Sequence, residues 1–151
     1  MSVLAYLIPL WGGCEGYLVK ALQVLQNRAA RQVTKLSWFT PTRRLLAQCN
    51  WLSIKHLNFY HSALTVSRSV STKQPLYLSQ HFVTVHPYQT RLATGGGLWV
   101  EGHHGGLASN SFLIRAAKEF NTIPADIRMS SSLPAFKQQL KKWTKEHIPL
   151  D

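Results

Sequence analysis

The sequence predicts a mainly α-helical protein: a small bundle of four or five helices around one modest core, with an irregular Gly/Pro-containing central loop. Three observations predict it. Apolar residues recur at three- and four-residue spacing in several segments, the period of a helix face. Ser or Thr precedes these segments, as suits a side chain that accepts a free backbone N–H at a helix start. The strongest breakers gather between residues 73 and 110, where Pro75, Pro87, Gly95-Gly96-Gly97 and His103-His104-Gly105-Gly106 interrupt any helical period. The chain therefore divides into an N-terminal helical part, 1–72, a flexible central loop region, 73–110, and a C-terminal helical part, 111–151, within one domain overall.

Met1 to Trp11 is apolar and uncharged, too short for the roughly 20 residues of a bilayer span, and reads as a buried strand or helix. From Leu18 the residues Leu18, Leu22, Leu25, Ala29, Val33 and Leu36 make one apolar helix face, expected to be the core stripe. Lys20, Val24, Asn27, Arg28, Arg31 and Lys35 share the same period and form a largely cationic face. Thr40 and Pro41 read as N-cap and first residue of a short helix to about Gln48. Ser53 caps another, running to about Ser71 and burying Ile54, Leu57, Tyr60 or His61, Leu64 and Val70. In the central region Phe82–Val85 and Leu98–Val100 are the two runs able to pair as a minor β-hairpin. A helix over Ser111–Asn121 has Phe112, Ala116 and Phe120 on one face, and a turn follows at Ile123–Asp126. After Ser132 the last helix turns Leu133, Phe136, Leu140 and Trp143 inward and lines its outer side with Lys137, Lys141, Lys142 and Lys145.

Charge narrows the function. Lys plus Arg number 17 against 6 Asp plus Glu, for a net charge of +11. No carboxylate lies between Glu15 and Glu101, a stretch holding Lys20, Arg28, Arg31, Lys35, Arg43, Arg44, Lys55, Arg68, Lys73 and Arg91. Such a chain attracts polyanions, and RNA, DNA or an RNA–DNA hybrid ranks ahead of an anionic membrane or an acidic protein surface. Cys14 and Cys49 make neither a disulfide framework nor a zinc module, which fits a reducing, intracellular setting, nucleus or cytoplasm. No secretory leader or membrane span is expected.

A series of short signposts then follows in order. They are Trp11-Gly12-Gly13, Leu25-Gln26-Asn27-Arg28-Ala29-Ala30-Arg31, Thr40-Pro41-Thr42 and Trp51-Leu52-Ser53. Further on stand Thr90-Arg91, Ser111-Phe112, Arg115-Ala116-Ala117, Phe120-Asn121 with Ile123-Pro124, Ile127-Arg128, and Phe136-Lys137 ahead of Leu140-Lys141-Lys142-Trp143. Together, from about Tyr6 to the C-terminus, they resemble the region after the palm in reverse transcriptases (RNA-directed DNA polymerases) of non-LTR, jockey-like retrotransposons. The resemblance implies a thumb-like helical region that grips the template–primer duplex while palm and fingers upstream do the chemistry. It carries phosphate contact first to Arg28 and Arg31, then to Lys35, Arg43 and Arg44, with Lys137, Lys141, Lys142 and Lys145 as a second group.

Basic helix faces are more often simply solvated; the want of nearby carboxylates argues for phosphate contact here. Trp38 and Phe39, at a helix exit near Arg43, are candidates for stacking on unpaired bases. No catalytic residues, cofactor or metal site is expected. The two-metal chemistry of polymerases needs paired carboxylates, and the Asp-Asp signature of the family's palm is missing. Cys49, His56 and His61 lack a fourth zinc ligand at a standard spacing, and the three glycines lack the Lys-Ser/Thr of a P-loop and read as a linker. The competing expectation is a helical protein-interaction module, or a decayed transposon fragment without selected function, leaving Leu4, Leu7, Ile8 and Trp11 exposed.

Overall fold

The computed structural model describes residues 7–14, 16–84, 89–100 and 111–148. Among them the chain is mainly helical, without strands. In order the helices are α1 (Ile8–Trp11), α2 (Gly16–Thr34), α3 (Thr42–Gln48), α4 (Ile54–Thr72), α5 (Leu76–Ser79), α6 (Arg91–Thr94), α7 (Phe112–Thr122), α8 (Ala125–Arg128) and α9 (Leu133–His147). Five exceed one short turn, which is the bundle that the periodicity predicts.

Helix α4 is the axis. Ser53 caps it as expected, its Oγ accepting from the His56 N–H at 3.2 Å. Helices α1, α2, α5, α7 and α9 all pack on it, so it buries residues around most of its circumference, including His56, Asn58, Ser62 and Ser69. A single-sided stripe was the expectation; the neighbours on every side explain the difference. The main core joins Phe59, Ala63 and Val66 of α4 to Ala116, Ala117 and Phe120 of α7 and to Phe136 and Leu140 of α9. A smaller cluster of Ile8, Leu52, Ile54 and Leu57 sits at the other end of α4.

The central region enters the main core through Phe82 and Leu98. The described residues show no strand there, and the two runs are joined by a backbone bond from the Trp99 N–H to the Val83 carbonyl at 2.8 Å. Val85 lies outside the described residues. Leu98 is pinned instead by Asn121, whose side-chain amide accepts from the Leu98 N–H and donates to the Leu98 carbonyl, both at 2.8 Å. The three glycines do more than link. Gly97 N–H reaches the Leu92 carbonyl at 2.8 Å, Gly96 N–H that of Ala93 at 3.3 Å, and Gly96 has φ of 67°, a Schellman closure of α6.

Helix α1 is held down from α7. Arg115 donates to the Pro9 carbonyl and pairs with Glu119 at 3.9 Å. Burial raises the Glu119 pKa above its ordinary value, against the pull of Arg115. Ile8 is completely buried and Trp11 half-buried, so the expectation of an exposed α1 holds for Leu7 and not for these two. Leu4 lies outside the described residues.

Helix α2 is turned the opposite way from the sequence reading. Leu18, Leu25 and Val33 of the supposed core stripe are 42%, 56% and 67% exposed, whereas Gln26 and Ala30 are buried. The reason is hydrogen bonding at the α4 entry. Gln26 donates to the Leu52 carbonyl and Gln23 accepts from the Ile54 N–H, each at 2.9 Å, while Gln23 also donates to Gln26 and Asn27. Those backbone groups have no intrahelical partner, and an unpaired one in a dry contact costs more than an exposed Leu. Only Val19 and Leu22 of this helix join the smaller cluster.

Candidate nucleic-acid interface

The α2–α3 corner is built by polar contacts. Asn27 donates to the Thr42 Oγ1 at 3.0 Å, fixing the two helices to each other. Thr40 does not act as the N-cap: α3 begins at Thr42, and the Thr40 carbonyl is occupied by the Arg31 guanidinium at 3.4 Å. That guanidinium also lies 4.7 Å from the centre of the Trp38 ring, and the Arg31 Nε is buried. Arg31, expected to contact phosphate, also braces the corner through these two contacts. Trp38 keeps 63% of its surface exposed and Phe39 92%, so both aromatics of the corner face solvent. Lys35 terminates α2 in the left-handed region, φ 56°, with its N–H on the Arg31 carbonyl at 2.9 Å. Arg28, Lys35, Arg43 and Arg44 are exposed.

One cleft brings the two predicted basic groups together. It is about 200 Å³ in volume, lined by Arg43, Leu46 and Ala47 of α3, Trp51 and Ser53 of the α3–α4 turn, His56 of α4 and Lys145 of α9. Asn50 organises it. Its φ of 52° lets the chain leave α3 with Trp51 N–H on the Leu46 carbonyl at 2.9 Å and Asn50 N–H on that of Ala47 at 3.0 Å. Its Oδ1 then accepts from the Lys145 ammonium at 2.8 Å. Asn is the residue other than Gly that best tolerates this backbone region, and its amide holds the lysine without neutralising it.

His56 sits at the floor, 3% exposed, and its Nε2–H donates to the Ile148 carbonyl at 2.8 Å. A carbonyl can only accept, so this nitrogen carries the proton. Burial lowers the His56 pKa from its ordinary value of 6.5; the Ile148 carbonyl opposes this, and the charges of Lys55 and Lys145 add to it. Near neutral pH the imidazole is uncharged, and the cations of the cleft are Arg43 and Lys145. Two cations, one of them held by Asn50, and a half-exposed indole, with no carboxylate among the described residues that line the cleft, give it the chemistry to take a phosphate beside an aromatic wall.

Lys137, Lys141 and Lys142 follow α9 away from the cleft, with Lys141 half-buried. Sequence reasoning missed Asn50 as a site residue; the signal for it was its place just after a helix, where Asn commonly closes the last turn. His103 and His104 lie outside the described residues, among which no three His, Cys, Asp or Glu side chains cluster as metal ligands. No helix of the described residues is long and apolar enough to cross a membrane. No protein-family model matches the chain, and no curated protein or solved structure matches it.

Proposed function

We propose that the chain is a non-catalytic nucleic-acid-binding unit that holds RNA, or an RNA–DNA hybrid, by its phosphates, the role of the C-terminal portion of a retrotransposon-type reverse transcriptase whose palm and fingers lie elsewhere. The observation that carries this reading is the cleft between α3 and α9. Arg43 and Lys145 are 102 residues apart in sequence, 145 less 43, yet line one recess against Trp51. Convergence of distant cations on a cleft whose described lining residues include no acid is unexpected of surface that is merely solvated. Arg44, exposed on the same helix as Arg43, extends the track, and Trp38 and Phe39 offer ring faces to unpaired bases.

Supporting the reading further are the net charge of +11 and the ordered signposts. Phosphate contacts of this kind position a strand without selecting its sequence. Fluorescence anisotropy of labelled single-stranded RNA and an RNA–DNA hybrid over a salt series tests it. Binding should weaken steeply with salt. The Arg43→Ala/Lys145→Ala double variant should flatten the log–log slope by about 1.5 and weaken binding at low salt by about tenfold or more. Absence of salt-dependent binding, or an unchanged slope in that variant, refutes the proposal.

A further inference from the structure

Helix α2 carries two kinds of outward residue that the nucleic-acid cleft does not use. Tyr17, Leu18, Val24 and Leu25 are 69%, 42%, 49% and 56% exposed, and exposed Ala21 lies between Leu18 and Leu25 at helical spacing. They continue one another over about two turns opposite the buried Gln26 and Ala30. Soluble proteins seldom expose a contiguous apolar stripe that has no partner. Lys20 and Arg28 stand one turn before and one turn after Val24, so a row of cations runs along the stripe. Neither pairs with a carboxylate among the described residues.

We propose that this face of α2 docks the apolar side of an amphipathic helix from another protein, one whose flanks carry carboxylates that meet Lys20 and Arg28. The charge pattern selects this occupant. A second copy of the chain would set Lys20 and Arg28 against themselves, on molecules that each carry +11. A membrane would have to accept Arg28 and Gln32 at the next turn of the same face, which limits the apolar length to about 12 Å. An acidic helix satisfies both parts: leucine-like side chains fill the spaces around Ala21, and Glu or Asp residues two turns apart cover the cations.

The test uses the full chain and two synthetic helical peptides of about 20 residues. They share a leucine face; one has Glu on its flanks, the other Lys. The Glu peptide should bind and the Lys peptide should not. Leu18→Gln/Leu25→Gln, whose thermal melt should match the parent because both side chains are already exposed, should weaken Glu-peptide binding by about tenfold or more. Lys20→Glu/Arg28→Glu should transfer the preference to the Lys peptide. The proposal is overturned if the Glu peptide fails to bind, if both peptides bind alike, or if binding ignores the Leu18/Leu25 change. It is equally overturned if, in place of peptide binding, these leucines support binding to phosphatidylserine vesicles or self-association in sedimentation equilibrium. None of these outcomes bears on the cleft, since Leu18 and Leu25 are not among its lining residues.

Discussion

Glycine at positions 12 and 16 has opposite consequences. A Cβ on Gly12 would meet the Asn58 side chain and the Ile8 carbonyl inside contact distance, and Asn58 is itself held by the Gly12 carbonyl at 3.2 Å. The backbone oxygen cannot retreat without undoing α1. Gly12→Ala is therefore expected to destabilise the chain by about 1–3 kcal/mol in urea melts, the cost of overpacking. Gly16, at the start of α2, has open space where a Cβ would go. Gly16→Ala should instead stabilise by about 0.5 kcal/mol, since it removes freedom only from the unfolded chain. Gly13 lies between the two: its Cβ would overlap the Arg115 guanidinium, a flexible tip that can move aside at the loss of its bond to the Pro9 carbonyl. The Trp11-Gly12-Gly13 signpost thus reflects close packing of α1 against α4 and α7.

At the scale of the element, α2 is set by amides rather than by leucines. Gln26→Ala would leave the Leu52 carbonyl unpaired in a dry contact, at an expected cost of about 1–3 kcal/mol. Leu25→Gln on the exposed side should change stability by no more than about 0.5 kcal/mol. Paired chemical denaturation curves decide the matter; the reverse order would mean that the helix faces the other way. Helices α7 and α9 behave as their periodicity predicts. Ala116 and Phe120, then Phe136 and Leu140, are buried on one face each, and Ser132 caps α9 by accepting from the Ala135 N–H at 3.4 Å. The contrast is instructive. Where a helix packs against other apolar faces, hydrophobic period and burial agree; where it packs against helix ends, the polar side is the one hidden.

Across the whole molecule, pH couples the cleft to stability. Burial holds both His56 and His61 below their ordinary pKa of 6.5. A group with a depressed folded-state value stabilises the fold fully above its unfolded pKa. That stability is lost as the pH drops from 6.5 through the folded value, because the unfolded chain takes the proton first. Glu119, raised by burial, works in the opposite sense as the pH falls through its folded value towards 4.5. The melting temperature should therefore fall between about pH 7.5 and pH 5.5, and the His56→Gln variant should lose less over that range. Gln can still donate to the Ile148 carbonyl but cannot titrate. Equal losses in both proteins would show that His56 is not buried as a neutral ring.

Much of this architecture was legible in the residues themselves. Helical period, the Ser53 and Ser132 caps and the clustering of breakers depend on neighbours within a few positions, so local chemistry settles them, as it does the surplus of cations. The unbalanced stretch between Glu15 and Glu101 is likewise a property of composition alone. Which face of α2 is hidden, and that Arg43 and Lys145 line one cleft while Arg31 lies over Trp38, are decided by how the helices pack. Leu18 and Leu25 are good core residues by pattern, and Gln23 and Gln26 are not; only once α4 is in place do its unpaired entry groups make the glutamines the better side to bury. Local sequence determines which helices form, whereas the hydrogen-bonding needs of one helix end decide how the next one is turned.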